Sequence, residues 1–289
     1  MCIDRHTLIL FRGMSGMHDG IIPELTERLK GLTGSVICFS GGLDSTVLLR
    51  NALEADPDGF VAVFAELPMT TVRQKDAARR IALSLGTQAE EVRIWWDALG
   101  EVRSNGPDRC YHCKRAIYMH ARKIADNLGF VNVLCGDNAD DGIRPGTRAA
   151  DELNVISPLS ELGIGRDTVI KALESMELPV RIFKDTCLAT RYPEGERLTD
   201  GMLRFAEGCE SIVRTITDVG LLRVRLDADG NALIQTDPDE IERVEHHLKE
   251  IESSFILKGI KKTEIDKNGY NECNKRRLNR SSLQGDRLL

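Results

Sequence analysis

The sequence predicts an α/β fold, a parallel sheet flanked by helices, with a smaller C-terminal α+β domain. Three observations carry this. Short apolar runs alternate with amphipathic segments from residue 36 to residue 159, the pattern of strands buried on both faces and joined by helices. A glycine pair, Gly41-Gly42, stands between the first apolar run and the first amphipathic segment. After about residue 197 the order changes to a long amphipathic segment, a hairpin pattern and a second amphipathic segment.

The elements follow in order. VICFS at 36–40 reads as a buried parallel strand and 44–54 as a helix. FVAVFAEL at 60–67 is the second strand, followed by a helix at about 71–85 that ends at Gly86. AEEVRIWW gives a third strand at about 89–96. Ile117, Ala121, Ile124, Ala125 and Leu128 share one face of a helix over 111–128, stopped by Gly129. VNVLCG at 131–136 is the fourth strand and VISPL at 155–159 a short fifth. A Thr or Asp cap then opens a helix running to about 217. LLRVRLDADGNALIQT reads as a hairpin turning at Asp229-Gly230. A last helix begins behind Asp237 and Pro238.

Composition narrows the function. Hydrophobic residues make up 42% and charged residues 29%, as in ordinary globular domains. No apolar stretch reaches the roughly 18 residues of a membrane span. The N-terminal MCIDRHTLILFRG holds only a four-residue apolar run, which argues against a secretory signal and for a cytoplasmic protein. Lys and Arg total 39 against 45 Asp and Glu, a formal net charge of −6. That balance argues against gripping long nucleic acid. The eight cysteines (2, 38, 110, 113, 135, 187, 209 and 273) do not read as a disulfide framework in such a chain. Cys38 and Cys135 lie in apolar strands and read as small buried hydrophobes.

SGGLDS at 40–45 lies where the first strand ends and the first helix begins. Backbone N–H groups of such a turn point outward, and the helix dipole adds positive potential. Gly41 and Gly42 let the backbone approach a phosphate. Ser40, Ser45 and Thr46 offer hydroxyls, Leu43 starts the helix, and Asp44 is placed to hold Mg²⁺ against the phosphates of ATP. The alternative is a tight connection that happens to carry two glycines. The Walker pattern GxxxxGK[ST] is absent, which argues against a kinase or GTPase. The string matches SGGxDS and so resembles the PP-loop ATP pyrophosphatases, whose adenine nucleotide alpha hydrolase-like fold cleaves ATP between the α and β phosphates. On this reading 1–197 is the PP-loop domain and 198–254 a small substrate or oligomerisation domain. The tail 255–289 is expected to be mobile: from Lys258 it holds nine Lys or Arg against four Asp or Glu.

RCYHCK at 109–114 places Cys110-x-x-Cys113 just before a helix, and Cys187 follows in DTCLATRYPEG. Three thiolates without a fourth suggest a [4Fe–4S] cluster with one open iron. A zinc site completed by His6, His112 or His120 is the rival. A helix-start CxxC without metal is the plain alternative.

Several strings, in order over most of residues 36–226, resemble the LarE family of ATP-dependent sulfur transferases of nickel-pincer nucleotide assembly. They are SGGLDST, RCYHCK, GDNADDGIRPG, SPLSELGI, CLATRYPEGERLT and LLRVR. The resemblance implies adenylation of a carboxylate of a pyridinium-3,5-dicarboxylate mononucleotide, then displacement of AMP by sulfur to give a thiocarboxylate. It implies a catalytic set of Asp44, Cys187, Arg191 and Glu210. Gly136 and Asn138 join the nucleotide contacts, and Arg144, Arg191, Arg223 and Arg225 the substrate contacts. The three-cysteine members of the family are thought to carry a [4Fe–4S] cluster, here on Cys110, Cys113 and Cys187. Sulfur and iron donors and a homo-oligomer are implied with it. Other members sacrifice a cysteine sulfur. Two departures stand out: the loop at 139–143 is shortened, and Leu233 and Gln235 replace charged residues after the hairpin turn. A tRNA thiolase and a PP-loop amide-forming ligase are the competing readings, with a nucleotide-sensing module behind them.

Overall fold

The computed structural model describes residues 20–176, 178, 182 and 186–270. They fall into two compact units, one within Met1–Val102 and Asp108–Ile182, the other within Arg103–Pro107 and Phe183–Leu289.

The first unit runs α1 (Pro23–Lys30), β1 (Ser35–Cys38), α2 (Leu43–Ala55), β2 (Phe60–Glu66), α3 (Val72–Ser84) and β3 (Glu90–Arg93). The one-turn helix α4 (Gly100–Arg103) follows, and its last residue already belongs to the second unit. Then come α5 (Arg109–Leu128), β4 (Asn132–Leu134), α6 (Pro145–Glu152), α7 (Pro158–Glu161) and α8 (Arg166–Glu174). The strands form one parallel sheet in the order β3-β2-β1-β4. Val36 lies beside Val61 on one side and Val133 on the other. Strand side chains alternate faces, so both faces must be covered. Ile37, Ala62, Phe64 and Leu134 pack with Leu25, Leu49, Ile81 and Val169 of α1, α2, α3 and α8. Val36, Val63 and Val133 pack with Tyr118, Ala121, Ala125 and Ala149 of α5 and α6. The chain reverses its direction of strand addition between β1 and β4, the place where open α/β sheets bind ligands at the strands' carboxyl ends.

Local chemistry sets the boundaries. Thr71 caps α3, its hydroxyl accepting from Gln74 N–H while the Gln74 side chain takes the Thr71 N–H, 3.0 Å each. Gly129 ends α5 at φ 70°. Three boundaries differ from expectation. The third strand stops at Arg93 and Trp96–Ala98 form a 3₁₀ turn. The expected fifth strand is a single bridge from Ile156 to Leu134, because Pro158 starts α7. Helix α5 begins at Arg109, so both cysteines of the CxxC lie inside its opening turns.

The second unit holds α9 (Asp200–Thr217), β5 (Leu222–Leu226), β6 (Asn231–Thr236), α10 (Ile241–His246), α11 (Leu248–Leu257) and β7 (Lys262–Ile265). Its sheet has the order β5-β6-β7. β5 and β6 form the expected hairpin, with Gly230 at φ 85° in the turn, and β7 adds in parallel. Leu203, Ala206 and Val213 of α9, Val224, Ile234, Val244, Ile251 and Phe255 form its buried apolar set. Residues 103–107 belong here: buried Asn105 donates to Pro193 O (2.7 Å) and its carbonyl accepts from Gly195 N (2.9 Å).

Residues 255–270, expected as part of a mobile tail, carry the end of α11 and strand β7. The physical reason is the apolar content the net charge hid: Phe255 and Ile260 are buried. Residues 271–289, and with them Cys273, lie outside the described residues, as do Cys2 and His6.

Candidate functional site

The turn after β1 is held by its own hydroxyls. Ser45 Oγ accepts from Ser40 N (3.2 Å), lies 3.0 Å from Ser40 Oγ and donates to Gly42 O (3.2 Å). Gly41 sits at φ 71°, and a Cβ there would meet Ala78 Cα of α3 at 2.8 Å. Gly41 is therefore required both by its backbone angle and by the helix packed against it. Leu43 is the first residue of α2 and Gly42 its N-cap. Thr46 is fully buried, and its hydroxyl has no hydrogen-bond partner among the described residues.

The loop after β4 closes on the same turn. A Cβ on Gly136 would meet Ser45 N at 2.8 Å, so the missing side chain lets two backbones touch. Buried Asn138 donates to Asp44 Oδ1 at 2.7 Å and caps the 3₁₀ turn Ala139–Asp141. Burial raises the Asp44 carboxyl above its ordinary range, Asp141 adds to the rise, and the Asn138 bond opposes it. A cation bound there would offset both of the raising effects. Asp141 also pairs with Arg144, the exposed N-cap of α6.

Two groups at this edge carry no signal of their own in the sequence. Lys114, next to Cys113, has its Nζ 3.7 Å from Asp137 Oδ1 and 3.3 Å from Tyr118 Oη. Lys114 and Asp137 sit inside strings singled out for their neighbours, RCYHCK and GDNADD. Burial pushes the Cys38 thiol up to about 12 and raises Cys135 as well. Both stay protonated at neutral pH, in keeping with their reading as small hydrophobes.

On α5, Cys110 is exposed and Cys113 half-buried. Spaced i, i+3, they share a helix face. Tyr111 and Arg115 instead pair with Glu152 of α6, and Arg148 lies 3.9 Å over the Tyr111 ring. Among the described residues no three His, Cys, Asp or Glu side chains gather into a metal-binding group. The two helix thiols suit two corners of a thiolate set by chemistry and accessibility.

In the second unit Cys187 is half-buried and N-caps the 3₁₀ turn Leu188–Arg191. Its carbonyl accepts from Thr190 N (3.1 Å) and Thr190 Oγ1 (3.0 Å). Arg191 is fully buried. Its Nε donates to Glu210 Oε1 at 2.6 Å, and Nη1 donates to Thr186 O, Thr186 Oγ1 and Thr190 Oγ1 at 2.9–3.0 Å. Glu210 also accepts from Val224 N (3.2 Å) and Arg214 Nη1 (3.3 Å). This pair organises the turn that carries Cys187. Arg223 and Arg225 share a face of β5, but their settings differ. Arg223 is buried with its guanidinium 3.2 Å from the centre of the Tyr270 ring. Arg225 is half-buried and donates from Nε to Gln235 Oε1 at 2.7 Å. Among the described residues Gln235 stands between the Arg225 guanidinium and the Asp266 carboxylate.

No family model matches the chain. An uncharacterized protein of Synechocystis sp. is 30% identical over 263 residues, 88% of this chain and 96% of that one. An uncharacterized protein of Methanocaldococcus jannaschii is 27% identical over 233 residues, 80% and 88% of the two chains. A Lactiplantibacillus plantarum protein named pyridinium-3,5-bisthiocarboxylic acid mononucleotide synthase is 29% identical over 196 residues, 66% and 71%. The chain is similar to this LarE protein. The strings that resemble LarE divide between the units: SGGLDST, RCYHCK, GDNADDGIRPG and SPLSELGI lie in the first, CLATRYPEGERLT and LLRVR in the second. The LarE-like arginines of LLRVR are supported by residues outside every shared string, Asp266 and Tyr270. A short parallel strand, β7, brings them there.

Proposed function

We propose that this protein is an ATP-dependent sulfur transferase. It adenylates a carboxylate of a pyridinium-3,5-dicarboxylate mononucleotide and replaces AMP by sulfur to give a thiocarboxylate for the nickel-pincer cofactor. The observation that carries the reading is the SGGLDS turn joined to the loop after β4 by the Asp44–Asn138 bond. The name of the L. plantarum relative supports the substrate class.

The turn's amides and the start of α2 receive the phosphates of ATP, and Asp44 holds Mg²⁺ against them. The substrate carboxylate oxygen attacks the α-phosphorus, the α–β bridging bond breaks, and pyrophosphate leaves with the electron pair. Arg225, with Arg223 beneath Tyr270, takes the substrate phosphate. Arg144, exposed beside Asp141, is a further anion contact. Glu210 and Arg191 hold the Cys187 turn in place. Sulfur then attacks the acyl carbon and AMP departs. Cys110, Cys113 and Cys187 would hold a [4Fe–4S] cluster, which when bound would supply sulfide for the transfer. The reading goes with a cytoplasmic, homo-oligomeric enzyme that draws on external iron and sulfur donors.

The test incubates the full-length chain, prepared without oxygen, with ATP, Mg²⁺ and the mononucleotide. Pyrophosphate and AMP in equal amounts, with a product heavier by the exchange of oxygen for sulfur, are expected. Pyrophosphate release with ammonia or a tRNA as the acceptor, and none with the mononucleotide, overturns the reading.

A further inference from the structure

We infer that Gln235 and Asp266 are positioning residues for Arg225, so that the turn after β7 belongs to the anion site of the second unit. The inference rests on the reading of Arg225 as a phosphate contact. It goes beyond that reading by assigning a role to two residues that no recognised string contains.

The geometry is a relay. Gln235 is 1% exposed. Its Oε1 accepts from Arg225 Nε at 2.7 Å, and its Nε2 donates to Asp266 Oδ2 at 2.8 Å. Asp266 is fixed from both sides. Its N–H donates to Ile234 O (2.9 Å), which extends the β6–β7 ladder, and its Oδ1 accepts from Asn268 N (3.0 Å). The turn then returns to the sheet: Tyr270 N donates to Thr236 O at 2.6 Å and its ring lies against Arg223. Gly269, at φ 63°, packs so closely that a Cβ would meet Thr236 O at 2.9 Å. One short turn therefore supports both arginines of β5 through two separate contacts.

The amide relays orientation between the two charges. It accepts from the guanidinium and donates to the carboxylate, so Asp266 fixes the Gln235 side chain and Gln235 fixes Arg225. Gln235 occupies Nε alone, and among the described residues neither Nη of Arg225 makes a hydrogen bond. Those two nitrogens form the edge that suits a phosphate dianion.

The experiment compares the full-length wild type with Asp266→Ala and with the double variant Gln235→Glu/Asp266→Ala. Asp266→Ala frees the amide, and KM for the mononucleotide rises about tenfold, the loss expected of a hydrogen bond to a charged group. Both kcat and KM for ATP stay within about twofold, the mark of a contact made equally in ground and transition states. The double variant puts a carboxylate directly on Arg225, which no longer needs Asp266, and restores most of the lost affinity. If Asp266 served only folding, Asp266→Ala would lower thermal stability and raise both KM values together, and Gln235→Glu would not restore them. An unchanged mononucleotide KM in Asp266→Ala, or a double variant no better than the single one, overturns the inference. If the wild type does not turn over the mononucleotide, the function reading fails by itself, and the same three proteins are titrated with inorganic phosphate by calorimetry. Weaker phosphate binding in Asp266→Ala alone supports the relay; equal binding in all three, or none in the wild type, overturns it.

Discussion

Asn138 donates its side-chain amide to Asp44 across 2.7 Å, although 94 residues separate them in the chain. The bond fastens the loop after β4 to the first turn of α2, and Gly136 makes the approach possible. The SGGLDS turn is thus a two-strand construction, with one half supplied by each side of the strand-order reversal.

Asp44→Asn tests the ionic half of that construction. Burial raises the Asp44 carboxyl in the folded protein. A raised acid stabilises the fold fully only below its unfolded value, and that stability is lost as pH rises through the folded value. Without nucleotide, Asp44→Asn is therefore expected to melt above the wild type at pH 7. The margin shrinks as pH falls through the raised folded value and is gone once pH is below the ordinary aspartate value. Pyrophosphate release drops by about 100-fold, the usual exchange of stability for function. Melting curves from pH 3 to 8, with and without Mg-ATP, check this; a native rate of pyrophosphate release in the variant removes Asp44 from the site.

Gly136→Ala probes the backbone half. The new Cβ meets backbone atoms of Ser45, which cannot turn aside as a flexible side chain does. A loss of about 1–3 kcal/mol is expected, the cost of overpacking a tight contact. ATP affinity falls with it, because the turn is displaced. Urea unfolding and ATP titration measure both, and native values in each would show that this contact does not set the turn.

Glu210→Gln removes the carboxylate that the fully buried Arg191 meets at Nε. Removing one partner of a buried pair costs about 3–5 kcal/mol. The double variant Arg191→Met/Glu210→Leu is expected to lose less than either single change, because no lone charge remains buried. Denaturant midpoints decide it. Single variants as stable as wild type would mean that the turn carrying Cys187 does not depend on this pair.

The cysteine proposal is tested by anaerobic reconstitution with iron and sulfide. Wild type is expected to take up iron and turn over repeatedly with added sulfide, and Cys110→Ala, Cys113→Ala and Cys187→Ala each to lose both properties. One turnover per chain, with Cys187 lighter by one H₂S, sinks the proposal and identifies a sacrificial cysteine. Bound zinc without iron sinks both.

The β1–α2 segment was legible because its signals are local. Val36, Ile37 and Phe39 announce a buried strand, Gly41 and Gly42 a turn, and the apolar run after Asp44 a helix. The hairpin at Gly230 and the cap at Thr199 were legible for the same reason. Element ends were harder to read. Trp95 and Trp96 extend an apolar run without extending the strand, since β3 ends once its pairing with β2 is complete. Residues 255–270 were assigned to the tail on net charge, which says nothing about whether Phe255 and Ile260 find a core.

By itself the sequence determined the first four strands, the alternation that covers both faces of the sheet, the hairpin, the SGGLDS turn and the arginine pair of LLRVR. All of these follow from the period of side chains along a strand or helix and from the backbone freedom of glycine, which act within a few residues. Tertiary structure alone decided what surrounds those groups. It buried Arg191 against Glu210, laid Tyr270 on Arg223, set Gln235 between Arg225 and Asp266, and brought Asn138 to Asp44. Each of these depends on packing between elements that are separate in the sequence. A guanidinium on a strand reads alike in sequence whether it faces water or a ring, and only the partner strand and the turn behind it settle which charge it keeps for a ligand.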